Sequence, residues 1–121
     1  MSAFNSLLSQ GELGSFVVIE HPVMEKFVQF ALCDSGGLLL DLPAQVLSER
    51  EFYNALRAFQ GTNVVGSEFG VFDRPDGIEV ARQYSFNATF SAADEAVSVV
   101  KLIFEKVFEI SFNDELVVSL S

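Results

Sequence analysis

The amino-acid sequence predicts an α+β fold in which a mainly antiparallel sheet carries its helices on one face. Three observations predict this class: segments of alternating apolar and polar residues, two segments of helical periodicity with capping residues, and short turns between strands. The predicted order is α-β-β-β-α-(β)-β-α. The chain has 121 residues, which predicts a single domain over 1–121.

The first elements are a short helix and a strand. Residues 2–10 are predicted to be helical because their apolar residues share one face, and Gly11 marks the end of that helix. The segment 15–20, SFVVIE, is rich in β-branched residues and stops before Pro22. It is therefore predicted to be a strand.

The segment 27–43, FVQFALCDSGGLLLDLP, predicts a β-hairpin. A three-residue loop over 34–36 places apolar residues opposite one another, for example Phe30 and Leu40, whereas a two-residue loop mixes the faces. The third position of such a loop favours a left-handed residue, and Gly36 supplies it. The hairpin is thus predicted to turn directly after Cys33, at Asp34, Ser35 and Gly36.

A capped helix is predicted from 48 to 60. Ser48 and Glu51 have the spacing of a capping box. Apolar residues then recur at helical spacing, at Phe52, Ala55, Leu56 and Phe59. Gly61 stands where a helix usually ends.

The segment 61–77 has a weak signal because it contains four glycines, and only Val71–Phe72 is predicted there as a short strand. The segment 83–90, QYSFNATF, alternates cleanly and predicts a half-buried strand.

The last helix is predicted from a cap at Ser91, with Asp94 at the capping-box position, to about residue 110. After it, the segment 114–120, DELVVSL, predicts either a final turn or a strand.

Composition restricts the classes of partner. The chain carries 17 Asp and Glu against 7 Lys and Arg, for a net charge of −10. Nucleic acids and anionic membrane surfaces are not expected as partners of such a chain, because their binding depends on Lys and Arg. A basic or amphipathic protein segment would be attracted. The N-terminus has no signal-peptide pattern, and a single cysteine cannot form an internal disulfide, so a cytoplasmic location is expected.

No residue pattern predicts catalysis, a cofactor or a metal site. Cys33 has no adjacent base or cation, and the chain has one histidine, His21. Asp73 and Asp76 flank a proline in a turn typical of solvated acidic residues. The glycines of 61–77 lack the lysine and spacing of a phosphate-binding loop. A small enzyme that uses Cys33 or a carboxylate site is therefore the alternative hypothesis, and a structural assembly module is a third.

The outer face of the predicted sheet is unusually apolar. It combines Phe27, Gln29, Ala31, Leu39 and Asp41, whereas a solvent-facing sheet surface is normally more polar. Such a face often receives another element. We expect these residues to bind a polypeptide, unless the chain's own N-terminal helix covers them.

The last helix has apolar residues over about half of its circumference, against the ~100° typical of a helix that faces one core. One flank, near Val97, Phe104 and Phe108, needs either the helix at 48–60 or a second copy of the chain. The expectation is a homodimer that uses this flank.

Three stretches resemble bacterial members of the group that contains type III secretion chaperones and YbjN-like peptide-binding chaperones. They are KFVQFALCDSGGLLLDL, LSEREFYNALRAFQG and AADEAVSVVKLIFEKVFEI, and the resemblance covers roughly residues 15–112. It implies a secretion-chaperone-like fold, a dimeric chain, and non-catalytic binding of an extended or amphipathic protein segment.

Overall fold

The structure is a computed structural model, and it describes residues 15–32, 37–71, 75–77, 81–111 and 116–120. Within these residues the fold is α+β, with a six-stranded antiparallel sheet and two α-helices.

The described elements run in the order β-β-β-α-β-β-α-β. The strands are β1 (Phe16–His21), β2 (Lys26–Leu32), β3 (Leu38–Pro43), β4 (Val65–Val71), β5 (Ala81–Phe90) and β6 (Val117–Leu120). The helices are α1 (Glu49–Ala58) and α2 (Ala93–Leu102), with a 3₁₀ turn at Ala44–Val46 and a π turn at Ile103–Val107. The strands lie side by side in the order β4-β5-β3-β2-β1-β6. The predicted helix at 2–10 lies outside the described residues.

The hairpin of β2 and β3 has the predicted register. Phe30 pairs with Leu40, and Leu32 pairs with Leu38. The turn at 33–36 lies outside the described residues, but the paired strands on either side are those that a three-residue loop requires.

One face of the sheet forms the core. Every second residue of the central strands is buried, because successive side chains of a strand point to opposite faces. These buried residues are Val17, Ile19, Val28, Phe30, Leu38, Leu40, Leu42, Phe86, Ala88 and Phe90. Both helices contribute side chains to the same core, including Ala55 from α1, Phe59 directly after it, and Val99 and Val100 from α2. The helices therefore cover one face, as predicted.

The predicted capping box begins α1. The Glu51 N–H donates to Ser48 Oγ at 3.1 Å, and the Ser48 N–H donates to Glu51 Oε1 at 2.8 Å. The same carboxylate oxygen lies 3.0 Å from Lys26 Nζ, which ties the helix to the start of β2. The helix ends at Ala58, and Gly61 follows with a left-handed φ of 77°.

The second helix starts one residue later than predicted. Its N-cap is Ala92, which makes no side-chain capping bond. The Ser91 hydroxyl donates instead to Glu95 Oε1 at 3.3 Å. The prediction of Ser91 as the cap is therefore wrong, because that side chain bonds one turn further along the chain.

The predicted helix to residue 110 is not a uniform α-helix, because a π turn follows Leu102. The Phe108 N–H donates to the Ile103 carbonyl, five residues earlier, at 3.0 Å. The segment closes with Glu109 at a left-handed φ of 59°. Asn54 of α1 donates from Nδ2 to the Val107 carbonyl at 3.2 Å, so a side chain satisfies a carbonyl at the helix end.

Candidate polypeptide-binding surfaces

The five residues predicted for the outer sheet face share that face. Gln29 pairs with Asp41, and Ala31 pairs with Leu39, while Phe27 lies two residues from Gln29 on the same strand. Asp41 is exposed, and the other four are half-buried. This surface is opposite to the one that the helices cover.

The polar part of the outer face is bonded within the sheet. Asp41 Oδ1 accepts hydrogen bonds from Ser85 Oγ at 2.8 Å and from Asn87 Nδ2 at 3.4 Å. Asn87 also donates to the Leu40 carbonyl at 3.2 Å. The Asp41 carboxylate is thus hydrogen-bonded by the neighbouring strand β5, which weakens its attraction for a basic segment.

A second surface lies at the edge of the sheet. β4 is the outermost strand on its side, and among the described residues it pairs with β5 alone. The large apolar side chains beside it are more exposed than those in the middle of the outer face. Leu56 of α1 is 38% exposed, and Val65 of β4 is 62% exposed.

Between α1 and β4 is a cavity of about 200 Å³, which we call the edge cleft. It is lined by Leu56, Phe59, Gln60, Val64, Gly66, Tyr84 and Phe86. Most of these side chains are apolar, so the cleft offers an apolar site directly beside a sheet edge.

Tyr84 and Gly66 shape the floor of the edge cleft. A Cβ atom added to Gly66 would overlap the Tyr84 hydroxyl and lie 2.5 Å from its Cζ, so the Tyr84 ring lies across the glycine. The ring packs against Phe52 and Phe86, at centroid distances of 5.5 and 5.3 Å. Glycine in a strand often marks a close approach of this kind.

Sequence reasoning missed the edge cleft because the glycines of 61–77 weaken the strand pattern. Of the short strand predicted at Val71–Phe72, Val71 is the last residue of β4, which starts at Val65, and Phe72 lies outside the described residues. No local signal in the sequence indicates the cleft, because the cleft depends on the pairing of Gly66 with Phe86 of β5.

The flank predicted as a dimer interface is largely internal. Phe104 is 0% exposed and Phe108 is 8% exposed, and their rings lie 5.3 Å apart. Of the two neighbours that the sequence allowed, the structure supplies α1, which packs against the π turn. Phe104 and Phe108 are therefore corrected from dimer contacts to core residues, while Val97 is half-buried.

Cys33 and His21 are the residues weighed above for catalysis. Cys33 lies outside the described residues. His21 is buried at the end of β1, where its Nδ1 accepts a hydrogen bond from the Met24 N–H at 3.1 Å. Within the described ranges, no three His, Cys, Asp or Glu side chains form a group that could hold a metal ion.

Comparison with protein-family models, curated proteins and solved structures finds no match. Across the described residues, no helix is both long enough and apolar enough to span a membrane.

Proposed function

We propose that this chain is a non-catalytic module that binds an extended polypeptide segment, which adds to the sheet beside β4. The observation that carries this proposal is the edge cleft, because it places an exposed sheet edge next to an apolar cavity. The edge of a sheet presents backbone N–H and C=O groups that a further strand can pair with. Adjacent pockets for alternate side chains then provide specificity.

The two sides of β4 suggest which side chains the bound segment presents. One set would lie on the outer face beside Val65, which is 62% exposed. The alternate set would lie toward the helices, beside Gly66 and the edge cleft. Since the Tyr84 ring fills the space over Gly66, an apolar residue of the segment would pack against that ring and Leu56. An alternating apolar pattern is therefore the expected recognition motif.

The charge of the chain favours basic segments. A net charge of −10 would steer a positively charged segment toward the surface and repel nucleic acid. The resemblance to secretion chaperones and YbjN-like chaperones supports the same class of function and a chaperone-like fold. A cytoplasmic location belongs to the same proposal.

A homodimer belongs to the same proposal, but its interface is not the Phe104 flank. Its interface must also leave Leu56 and Val65 free, because these residues lie at the proposed binding site beside β4. Light scattering at micromolar concentration should give about twice the chain mass of 13.3 kDa. A mass near 13.3 kDa would reject the dimer.

Selection from a library of random peptides of about ten residues, the length of a long strand, tests the binding proposal. Enriched peptides should show alternating apolar residues. Leu56→Glu should abolish their binding, because it puts a charge into the edge cleft. Val117→Glu is the matched control, since Val117 is 45% exposed but lies on β6 at the opposite edge.

Phe27→Glu distinguishes the edge cleft from the outer sheet face. If the segment adds to β4, this variant keeps its affinity for the selected peptides. Loss of binding in Phe27→Glu with retention in Leu56→Glu would move the site to the outer face. Failure of the library to yield any binding peptide would contradict the proposed function.

A further inference from the structure

A groove runs along α2, bordered by α1 at one end and by residues 62–63 at the other. Two cavities, of about 290 and 380 Å³, share Leu102 as a lining residue. Together they extend along α2 and its π turn from Glu95 to Lys106, a length of roughly 16 Å at 1.5 Å per residue. We call this surface the helical groove.

The two ends of the helical groove differ in chemistry. The larger cavity is lined by both Arg57 and Lys106, together with Ala58. The smaller cavity has an apolar floor of Phe90, Val99 and Leu102, and a rim formed by Thr62, Asn63, Glu95 and Ser98. The apolar floor of one cavity and the two cations of the other therefore meet at Leu102, in a chain of net charge −10.

Arg57 is held in place by a buried residue. Its Nη2 donates to Asn54 Oδ1 at 2.7 Å. Asn54 is only 8% exposed, and its amide nitrogen donates to the Val107 carbonyl at 3.2 Å. The guanidinium thus starts from a fixed position and keeps further donors directed at the groove or at solvent.

Acidic side chains lie near Lys106, but none is ion-paired with it or with Arg57 in the described part of the chain. Glu109, close to Lys106 in sequence, is bound by Arg50 at 2.8 Å. The hydrogen bond from Arg50 to Glu109, and then their charge attraction, raise the pKa of Arg50. Glu105 and Glu109 line a further cavity together with Lys106, so they reduce the local positive charge on that side of the lysine.

We infer that the helical groove binds the C-terminal end of a polypeptide whose last side chains are apolar. The α-carboxylate would lie between Arg57 and Lys106, and the preceding side chains would contact Leu102 and Val99. A carboxylate bonded to a guanidinium is a strong, directional pair. A segment with several carboxylates would be repelled by the net charge of −10, so a single terminal carboxylate fits best. This site is separate from the edge cleft and takes a different part of a polypeptide.

Calorimetric and NMR titrations of the full chain with two N-acetylated tri-leucine peptides test this inference. One peptide ends in a free carboxylate and the other in a carboxamide. The carboxylate peptide should bind roughly tenfold more tightly, because a hydrogen bond to a charged group is replaced by a neutral one in the amide. The chemical-shift changes should centre on Leu102.

Lys106→Gln should weaken binding of the carboxylate peptide without changing binding of the carboxamide peptide. Arg57→Gln should have the same effect and is interpreted only if it folds like the native chain. Because Lys106 is exposed, Lys106→Gln should fold normally, and the test does not depend on Arg57→Gln. Lys101→Gln is the matched control, because Lys101 is an exposed lysine of α2 that lines neither cavity.

Equal binding of the two peptides, no saturable binding of either, or an effect of Lys101→Gln as large as that of Lys106→Gln would overturn the inference. So would selective binding of decanoate in place of the carboxylate peptide, which would assign the groove to a free amphiphile. Leu56→Glu should leave this binding unchanged, so failure here and failure of the edge-cleft proposal are distinguishable.

Discussion

Replacing Gly66 by alanine tests the packing that forms the edge cleft. The Tyr84 ring occupies the space that a side chain at residue 66 would need, with Cζ 2.5 Å and Cε1 2.6 Å from the added Cβ. The ring is confined by Phe52 and Phe86 at 5.5 and 5.3 Å. It must leave these contacts to accommodate the methyl group.

The expected loss of stability follows from those two contacts. An aromatic pair contributes about 0.5–1.5 kcal/mol beyond the area it buries, so loss of two pairs costs about 1–3 kcal/mol. With an unfolding entropy of ~2.1 cal/mol/K per residue, a chain of 121 residues loses about 4 °C in Tm per kcal/mol. Gly66→Ala should therefore lower the Tm by about 4–12 °C.

A double-mutant cycle with Tyr84→Ala isolates this contact. Without the ring, the three atoms nearest to the added Cβ are gone and the alanine restricts the unfolded chain, so the cost of Gly66→Ala should fall to about zero or become a slight gain. Thermal unfolding followed by circular dichroism measures all four proteins. Equal costs of Gly66→Ala in both backgrounds would refute the packing of Tyr84 over Gly66.

Three further substitutions test local parts of the account by urea unfolding. Ser48→Ala removes the cap of α1 and should cost about 1 kcal/mol; an unchanged midpoint would contradict the capping box. Asn54→Leu leaves the Val107 carbonyl without its side-chain donor and should cost about 1–3 kcal/mol, whereas a neutral result would show that this bond adds nothing. Cys33→Ser should change stability by less than about 1 kcal/mol, and loss of folding or of an assayed activity would show that the thiol is required.

The hairpin and α1 could be predicted because their signals are local. The alternation of β2 and β3 fixes the face of each residue, so one loop length alone aligns Phe30 with Leu40. The capping box depends on two residues three positions apart, and both of its hydrogen bonds form.

The edge cleft could not be predicted because it depends on contacts between distant segments. Gly66 and Gly70 interrupt the apolar pattern of β4, and the strand forms through its full pairing with β5. Tyr84 then covers Gly66 from the neighbouring strand. No local pattern in either segment indicates that the two meet.

The end of the second helix shows a similar limit. Its wide apolar arc correctly indicated more than one neighbour, but whether α1 or a second copy covers the arc depends on tertiary contacts. The π turn at Ile103–Val107 coincides with burial of Phe104 and Phe108 within the chain. A prediction that assumes a uniform 100° per residue cannot include that turn.

The proposed addition of a polypeptide strand to β4 is tested most directly by residue-resolved amide hydrogen exchange, with and without a library-selected peptide. Antiparallel pairing leaves alternate amides of an edge strand without a backbone partner, so alternate amides of Val65–Val71 should exchange rapidly in the free chain. Binding should protect those amides and leave the exchange of β6 unchanged. Unchanged exchange along β4, with new protection at the opposite edge or elsewhere, would contradict the account.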